Sequence, residues 1–330
     1  MKNLHIKLIF SGVIILSFAA GIFAQQDAER GKGIELYNKG SYKESIAVFQ
    51  KVVKATPADA EARTFLALSQ IKLGKIKDAE KSLEKSLQIN PNQPNARKAM
   101  AYVLVLRSKS AETLKQMEAL KALNAMDAES YYILGWAHLR LGNGEAALEN
   151  ADQSVKLNPK FANAYLLKAQ AIMNRWNSPK DYKAIAEQYG SSADNIGKFI
   201  VLSAALPNAP FWRGQQETLK IFAAYYSEQE KNKNSPDEAS ANMTPLKILA
   251  KPRANYTDQA RQAGISGTIR LLVAFTENGK IENVLVLTSL GYGLDAQAIR
   301  AAKGIKYEPA TRNGKPVTSV KPVEYTFTIY

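Results

Sequence analysis

The chain has 330 residues, 46% hydrophobic and 9% aromatic, which is the composition of a folded protein larger than one domain. It has no cysteine and only two histidines. Disulfides, thiolate metal sites and cysteine nucleophiles are therefore excluded, and most histidine-based chemistries have one candidate at best. The 44 Lys and Arg against 30 Asp and Glu give a net charge of +14. That charge fits an anionic partner or a solvated lysine-rich surface.

The first residues have the polarity of a secretory signal. Lys2 and Lys7 precede an apolar run over residues 8–23, and Ala24 comes just before a polar start. A helix of that length rises about 24 Å, less than the hydrocarbon core of about 30 Å. We expect residues 1–24 to be a signal peptide and the mature protein to be periplasmic, with no nucleic-acid partner. An uncleaved anchor in the inner membrane is the alternative, and only then do we expect membrane association.

Small and turn-forming residues then recur with a period of 34 residues. They are Gly40, Gly74 and Gly142; Pro57, Pro91 and Pro159; Ser45, Ala79, Thr113 and Ala147; and Gly33, Ala67, Ala101, Gly135 and Ala169. This layout resembles the tetratricopeptide repeat, a helix–turn–helix unit. In such a unit the small residues lie where the two helices pack closest. The glycine ends the first helix, and the proline follows the second.

The resemblance implies an α-solenoid over residues 26–175. The units are 26–59, 60–93, 94–127 and 128–161, with a partial unit at 162–175. First helices of such repeats line a concave groove that binds a peptide or a protein. The groove positions in this sequence are Tyr37, Leu68, Lys72, Lys98, Tyr102, Tyr132, Trp136, Arg140 and Asn163. Aromatic and basic residues suit a peptide with apolar and acidic groups. Packing between repeats is the other role that aromatic residues at this spacing can have.

More helices and a linker are expected after the repeats. Residues 176–230 contain apolar helical faces separated by a break at Leu206–Pro210. We expect this region to cap the solenoid. Residues 231–243 contain almost no large apolar side chain and are expected to be a linker. Residues 25–230 are therefore expected to fold without the terminal domain.

The last residues change from helical to alternating periodicity. Alternation over residues 269–275 predicts a strand, and Asn278-Gly279 predicts a hairpin turn after it. Short helices are expected at residues 256–263 and 294–304, and a last strand runs to the carboxy terminus. The order helix–strand–strand–helix–strand predicts an α+β domain, with one sheet and helices on one face.

Six spaced blocks in these residues resemble the carboxy-terminal domain of TonB-type energy transducers. They are Tyr256–Ala260, Gly264–Thr268, Glu277–Lys280, Ser289–Asp295, Tyr307–Ala310 and Asn313–Val317. The predicted fold is mainly α, a tetratricopeptide-repeat solenoid followed by a small α+β TonB-like domain at residues 244–330. The histidine-bearing membrane helix and proline-rich spacer of a TonB transducer have no counterpart in this sequence. The resemblance therefore covers the partner-binding end and not the energised end.

The resemblance implies that a short segment of an outer-membrane receptor pairs with the terminal strand by main-chain hydrogen bonds. The residues of that edge are Glu324, Tyr325, Thr326, Phe327, Thr328, Ile329 and Tyr330. Polar residues on such an edge also protect it against aggregation, which is the alternative role.

Two functions follow from the sequence, and neither is enzymatic. The first is an envelope interaction protein that docks an outer-membrane receptor or a periplasmic segment, with energy-coupled transport as one role, while its repeats recruit a second protein. The second is a periplasmic scaffold or assembly factor without energy transduction. No enzyme activity, cofactor or metal is expected, because the sequence has no dinucleotide-binding, Walker or metal-ligand motif.

Overall fold

The computed structural model describes residues 25–174, 181–203, 208–233 and 242–328. The predicted signal peptide, most of the predicted linker, Ile329 and Tyr330 lie outside the described residues. The chain divides into two compact parts, with the boundary between Val103 and Leu104. Along the described ranges, no helix is both long and apolar enough to cross a membrane.

The first part consists of antiparallel helix pairs. Its helices are α1 (residues 25–38), α2 (Tyr42–Ala55), α3 (Ala60–Lys72), α4 (Ile76–Ile89) and α5 (Pro94–Leu106), the last of which crosses the boundary. The periodic small residues lie where these helices touch, and both Ala67 and Ala79 are fully buried. A Cβ added at Gly33 would come within 2.7 Å of the Phe49 ring, which explains the small residue at that position.

Buried hydroxyls also fill these close contacts. The Ser45 hydroxyl donates to the Gly33 carbonyl at 3.0 Å and lies 2.9 Å from the Ser69 hydroxyl. The Asp59 side chain caps α3 by accepting a hydrogen bond from the Ala62 amide at 2.8 Å. This bond satisfies one of the N–H groups at the start of the helix that have no partner within the helix.

The second part continues the helix pairs and adds the terminal domain. Its helices are α6 (Ser110–Ala122), α7 (Ala128–Arg140), α8 (Gly144–Leu157), α9 (Ala162–Met173), α10 (Tyr182–Leu202), α11 (Ala209–Asn232), α12 (Asp258–Ala263) and α13 (Leu294–Lys303). Its strands are β1 (Met243–Thr244), β2 (Lys247–Ala250), β3 (Gly267–Phe275), β4 (Val284–Thr288), β5 (Lys306–Glu308), β6 (Ala310–Arg312), β7 (Lys315–Val317) and β8 (Ser319–Phe327).

The main sheet of the terminal domain has the order β4–β3–β8, and both of its strand pairs are antiparallel. Two smaller sheets have the orders β2–β5 and β1–β6–β7. The predicted hairpin turn is present, since Gly279 lies between β3 and β4 with a φ of 76°. A second Asn-Gly turn, in which Asn313 and Gly314 both have positive φ, lies between β6 and β7. The short strands β1, β2, β5, β6 and β7 were not predicted from the sequence.

Helices cover both faces of the main sheet, not one. Helix α13 contacts β3 and β4 on one face. On the other face, Leu272, Ala274, Leu285 and Leu287 share a core with residues of α9, α10 and α11, among them Ile196, Phe199, Trp212, Leu219 and Phe222. Residues of α10 and α11 therefore cover the sheet as well as the end of the repeats, since Ala169 and Met173 of α9 belong to the same core. The reason lies in β3 and β4, which are apolar on both faces and so need two covers.

Candidate docking edge and repeat groove

Strand β8 is one edge of the main sheet. Its Val323, Tyr325 and Phe327 side chains are buried, while those of Glu324 and Thr326 are exposed. It pairs with β3 along nine residues, and in the described part of the chain no strand pairs with its other side. Burial raises the pKa of the Tyr325 phenol to about 12. The strand has therefore a fixed inner face and an edge that another strand can extend.

The direction of the main-chain groups along β8 follows from two contacts. The Glu324 carbonyl accepts a hydrogen bond from the Lys251 side chain at 2.6 Å, so it points away from β3. Pro322, two residues earlier, has no N–H to give to β3. In an antiparallel strand both main-chain groups of one residue point the same way, and the direction repeats every second residue. The N–H and carbonyl groups of Glu324 and Thr326 therefore face the open side, and those of Tyr325 and Phe327 face β3.

Strand β4 is the opposite edge of the sheet, and it is closed. The Gln215 side-chain amide, from α11, donates to the Val284 carbonyl at 3.0 Å and accepts from the Val286 N–H at 2.7 Å. The Asn174 amide donates to the Leu287 carbonyl at 2.8 Å. A single glutamine thus satisfies the main-chain groups that a neighbouring strand would otherwise pair with.

One predicted groove residue, Arg140, bonds within the chain. Its guanidinium donates to the Ser108 hydroxyl at 3.1 Å, and that hydroxyl donates to the Ser266 carbonyl at 2.7 Å. Burial lowers the pKa of Arg140, and the Asp295 carboxylate opposes that shift. Burial likewise raises the pKa of Asp295 against the hydrogen bonds that Ser289 and Leu290 donate to it. Arg140 therefore links the end of α7 to the terminal domain.

Ser108 also explains an irregularity in the repeat pattern. It occupies the place where Gly40, Gly74 and Gly142 end first helices with φ values of +79°, +70° and +80°, and its own φ is +60°. This left-handed conformation favours glycine. A serine can replace glycine at this position because its hydroxyl forms hydrogen bonds with Arg140 and Ser266.

The other groove positions of the second part are partly used for packing. Tyr132 and Trp136 are half-buried and pack against a core that includes Leu139 and Leu167. The Tyr132 ring lies 5.4 Å from that of Phe161. Asn163 is exposed. In the described residues the Trp136 indole N–H is buried without a hydrogen-bond partner. Tyr132 and Trp136 therefore contribute to packing between repeats, which was the alternative to a role in binding a peptide.

The groove positions of the first part are buried to a similar degree. Lys72 is exposed, and Tyr37, Leu68, Lys98 and Tyr102 are half-buried. The Tyr37 ring lies 5.8 Å from that of Phe65 in the next repeat, an edge contact typical of aromatic packing.

Models of known families match both the repeats and the terminal domain. Residues 252–329 match the family model for the Gram-negative bacterial TonB protein C-terminal. Residues 36–102 and 128–161 match two models of the tetratricopeptide repeat. The chain is a fusion of tetratricopeptide repeats with a TonB-type carboxy-terminal domain. Both types of domain mediate protein–protein interaction, and neither is a catalytic domain.

Solved structures are similar to part of the chain. PilW, described as a widely conserved type IV pilus biogenesis factor, is 18% identical with a TM-score of 0.50, over 64% of this chain and 94% of PilW. PilF of Pseudomonas aeruginosa is 16% identical with a TM-score of 0.46, over 64% of this chain and 92% of PilF. The likeness to PilW shows a shared fold alone. None of the curated proteins matches the chain.

Two features of the TonB-type domain were missed by sequence reasoning. Gln215 lies outside every motif, and its bonds join residues about 70 positions apart, so no local pattern predicts them. Lys251 precedes a proline in a segment without periodicity. By contrast, the 34-residue series of Gly40, Gly74 and Gly142 has a gap at residue 108, and this gap is visible in the sequence.

Proposed function

We propose that this protein is an envelope interaction protein whose TonB-type domain binds a segment of an outer-membrane receptor as an added strand beside β8. Its location in this proposal is the periplasm, and its partners are proteins. The repeats recruit a second protein through the exposed groove positions. Energy-coupled transport is the process to which such docking would contribute.

The observation that carries the proposal is the difference between the edges of the main sheet. Main-chain hydrogen bonds supply most of the affinity in strand addition, so the acceptor needs an edge whose N–H and carbonyl groups are accessible. Edge β4 is already bonded to Gln215 and Asn174. At the β8 edge, the main-chain N–H and carbonyl groups of Glu324 and Thr326 point towards the open side, and the exposed Thr328 follows in the same alternation.

Calorimetry of the full chain with synthetic peptides tests the docking. The peptides come from the periplasmic segments of plug-bearing outer-membrane receptors of the same organism. At least one should bind with a dissociation constant below about 1 mM, or about −4 kcal/mol. As controls, the binding peptide is made with N-methyl groups on alternate amides, in both phases. Only the phase that donates to β8 should lose binding. If no peptide binds at millimolar concentration, the proposal fails.

A periplasmic scaffold is the second candidate, and the shared core of α9–α11 with the sheet favours it. A rigid junction of this kind suits a protein that holds others in place. Photo-crosslinkers placed at Thr328 and at Trp136 in intact envelopes separate the candidates. Docking predicts crosslinks from Thr328 to an outer-membrane receptor. The scaffold predicts crosslinks from Trp136 only.

A further inference from the structure

One side chain already occupies the open edge of β8. The Lys251 ammonium group donates to the Glu324 main-chain carbonyl at 2.6 Å and lies 4.7 Å from the centre of the Tyr325 ring. Lys251 follows β2 directly, and the pairing of β2 with β5 fixes where this segment runs. The lysine itself is exposed to solvent.

The bonded carbonyl belongs to the ladder that an added strand would use. Pro322 has no N–H and so interrupts the outward groups of β8, and the uninterrupted stretch runs from its carbonyl through Glu324 and Thr326. An incoming strand that pairs along this stretch needs the Glu324 carbonyl as an acceptor. It must therefore displace the Lys251 ammonium group or leave that part of the edge unpaired.

The hydrogen bond from Lys251 goes to the main-chain carbonyl of Glu324 and not to its side-chain carboxylate. That carboxylate lies 3.4 Å from the Arg270 guanidinium on the neighbouring strand. Lysine at a sheet edge is a common means of preventing edge-to-edge pairing. A lysine that also bonds to a main-chain carbonyl of the edge competes directly with an incoming strand for that carbonyl.

We propose that Lys251 is a displaceable guard of the β8 edge, whose ammonium group holds the Glu324 carbonyl until the main-chain N–H of a partner strand replaces it. The proposal rests on the strand addition proposed above and adds its regulation. The guard has two consequences. It weakens the binding of every partner strand that pairs along this stretch, and it suppresses pairing of β8 with the same edge of a second copy.

Three variants of the full chain test the guard. Lys251→Met removes the charge and keeps an apolar stem over Tyr325, and Lys251→Arg keeps a cationic donor. Lys280→Met is the control, because Lys280 is an exposed lysine in the β3–β4 turn. Sedimentation velocity measures self-association without ligand, and calorimetry measures the affinity for the receptor peptide described above. Thermal unfolding shows whether each variant is folded.

The guard predicts greater self-association of Lys251→Met than of wild type. It also predicts about tenfold tighter peptide binding, since a bond to a charged group must no longer be broken. Lys251→Arg and Lys280→Met should behave as wild type. Unchanged self-association and affinity in a folded Lys251→Met variant, with the peptide bound by wild type, overturn the guard and leave the docking function intact. If wild type binds no peptide, the docking function fails, and the guard is then tested by self-association alone. Greater self-association of Lys251→Met than of wild type supports the guard, and equal self-association overturns it.

Discussion

The two edges of the main sheet present the same main-chain chemistry, but side chains bond to them in different ways. At β4, the buried Gln215 amide donates to one main-chain group and accepts from another, and Asn174 satisfies a third. At β8, the exposed ammonium group of Lys251 satisfies one carbonyl. A buried amide with two bonds is part of the fold, whereas a solvated lysine with one bond can leave at a small cost in free energy.

The comparison shows how a sheet can be directed to accept a partner on one side only. A sheet that is open at both edges pairs with other chains at either of them. Here the helices that follow the repeats close one edge and cover one face in the same core. The β8 edge is then the one left for the strand addition proposed above. The predictions below test the two edges, from the largest expected effect to the smallest.

Proline at Thr326 should have the largest effect on binding. Its N–H faces the open side of β8, so Thr326→Pro removes a donor from the docking ladder and none from the pairing with β3. We expect the affinity for a receptor peptide to fall below detection in calorimetry while the thermal unfolding curve changes little.

Proline at Tyr325 is the opposite-phase control. The Tyr325 N–H faces β3, so Tyr325→Pro breaks an internal bond and removes a buried side chain. We expect a loss of about 3 kcal/mol or more in the free energy of unfolding. If the Tyr325 variant stays folded and the Thr326 variant unfolds, the direction assigned to the β8 groups is wrong.

Removal of the Gln215 amide should destabilise the closed edge. Gln215→Met keeps the volume of the side chain but leaves the Val284 carbonyl and the Val286 N–H buried without their partner. We expect a loss of about 2–4 kcal/mol in the free energy of unfolding by denaturant. The matched control is Gln216→Met, which loses one bond to the Ala193 carbonyl and should cost about 1 kcal/mol. Equal losses in the two variants would contradict the role given to Gln215.

Substitution of Ser108 should have a smaller effect that depends on the replacement. Ser108→Ala loses the bridge between Arg140 and the Ser266 carbonyl and keeps the unfavourable positive φ. Ser108→Gly loses the same bridge but relieves the backbone strain. We expect the alanine variant to lose about 1 kcal/mol in the free energy of unfolding and the glycine variant to lose almost nothing. Equal losses would mean that the bridge, not the backbone, decides the stability of this turn.

Sequence reasoning predicted the fold where local rules decide it. Close helix contacts demand small residues, so the 34-residue period of Ala67, Ala79 and their equivalents predicted the helix pairs. Alternation and Asn-Gly turns predicted β3, β4 and β8. The cover on the second face was missed because apolarity on both sides of a strand does not say which element covers it. The closure of β4 was missed because it depends on single side chains brought together by the tertiary fold.

The smallest effect concerns the phenol of Tyr325, on the buried side of the open edge. In the described residues its hydroxyl is buried without a hydrogen-bond partner, and burial raises its pKa to about 12. An unpaired buried hydroxyl is unfavourable, so Tyr325→Phe should raise the free energy of unfolding by about 1 kcal/mol at neutral pH. Because the folded pKa lies above the unfolded value of about 10, the neutral phenol stabilises the fold relative to the phenolate. That stabilisation is complete below about pH 10 and is lost as the pH rises towards 12. Denaturant unfolding of both proteins between pH 9 and about pH 11 should therefore show a steeper decline for wild type than for the phenylalanine variant. Parallel declines would mean that the phenol is solvated, and that the inner face of β8 is less closed than its burial indicates.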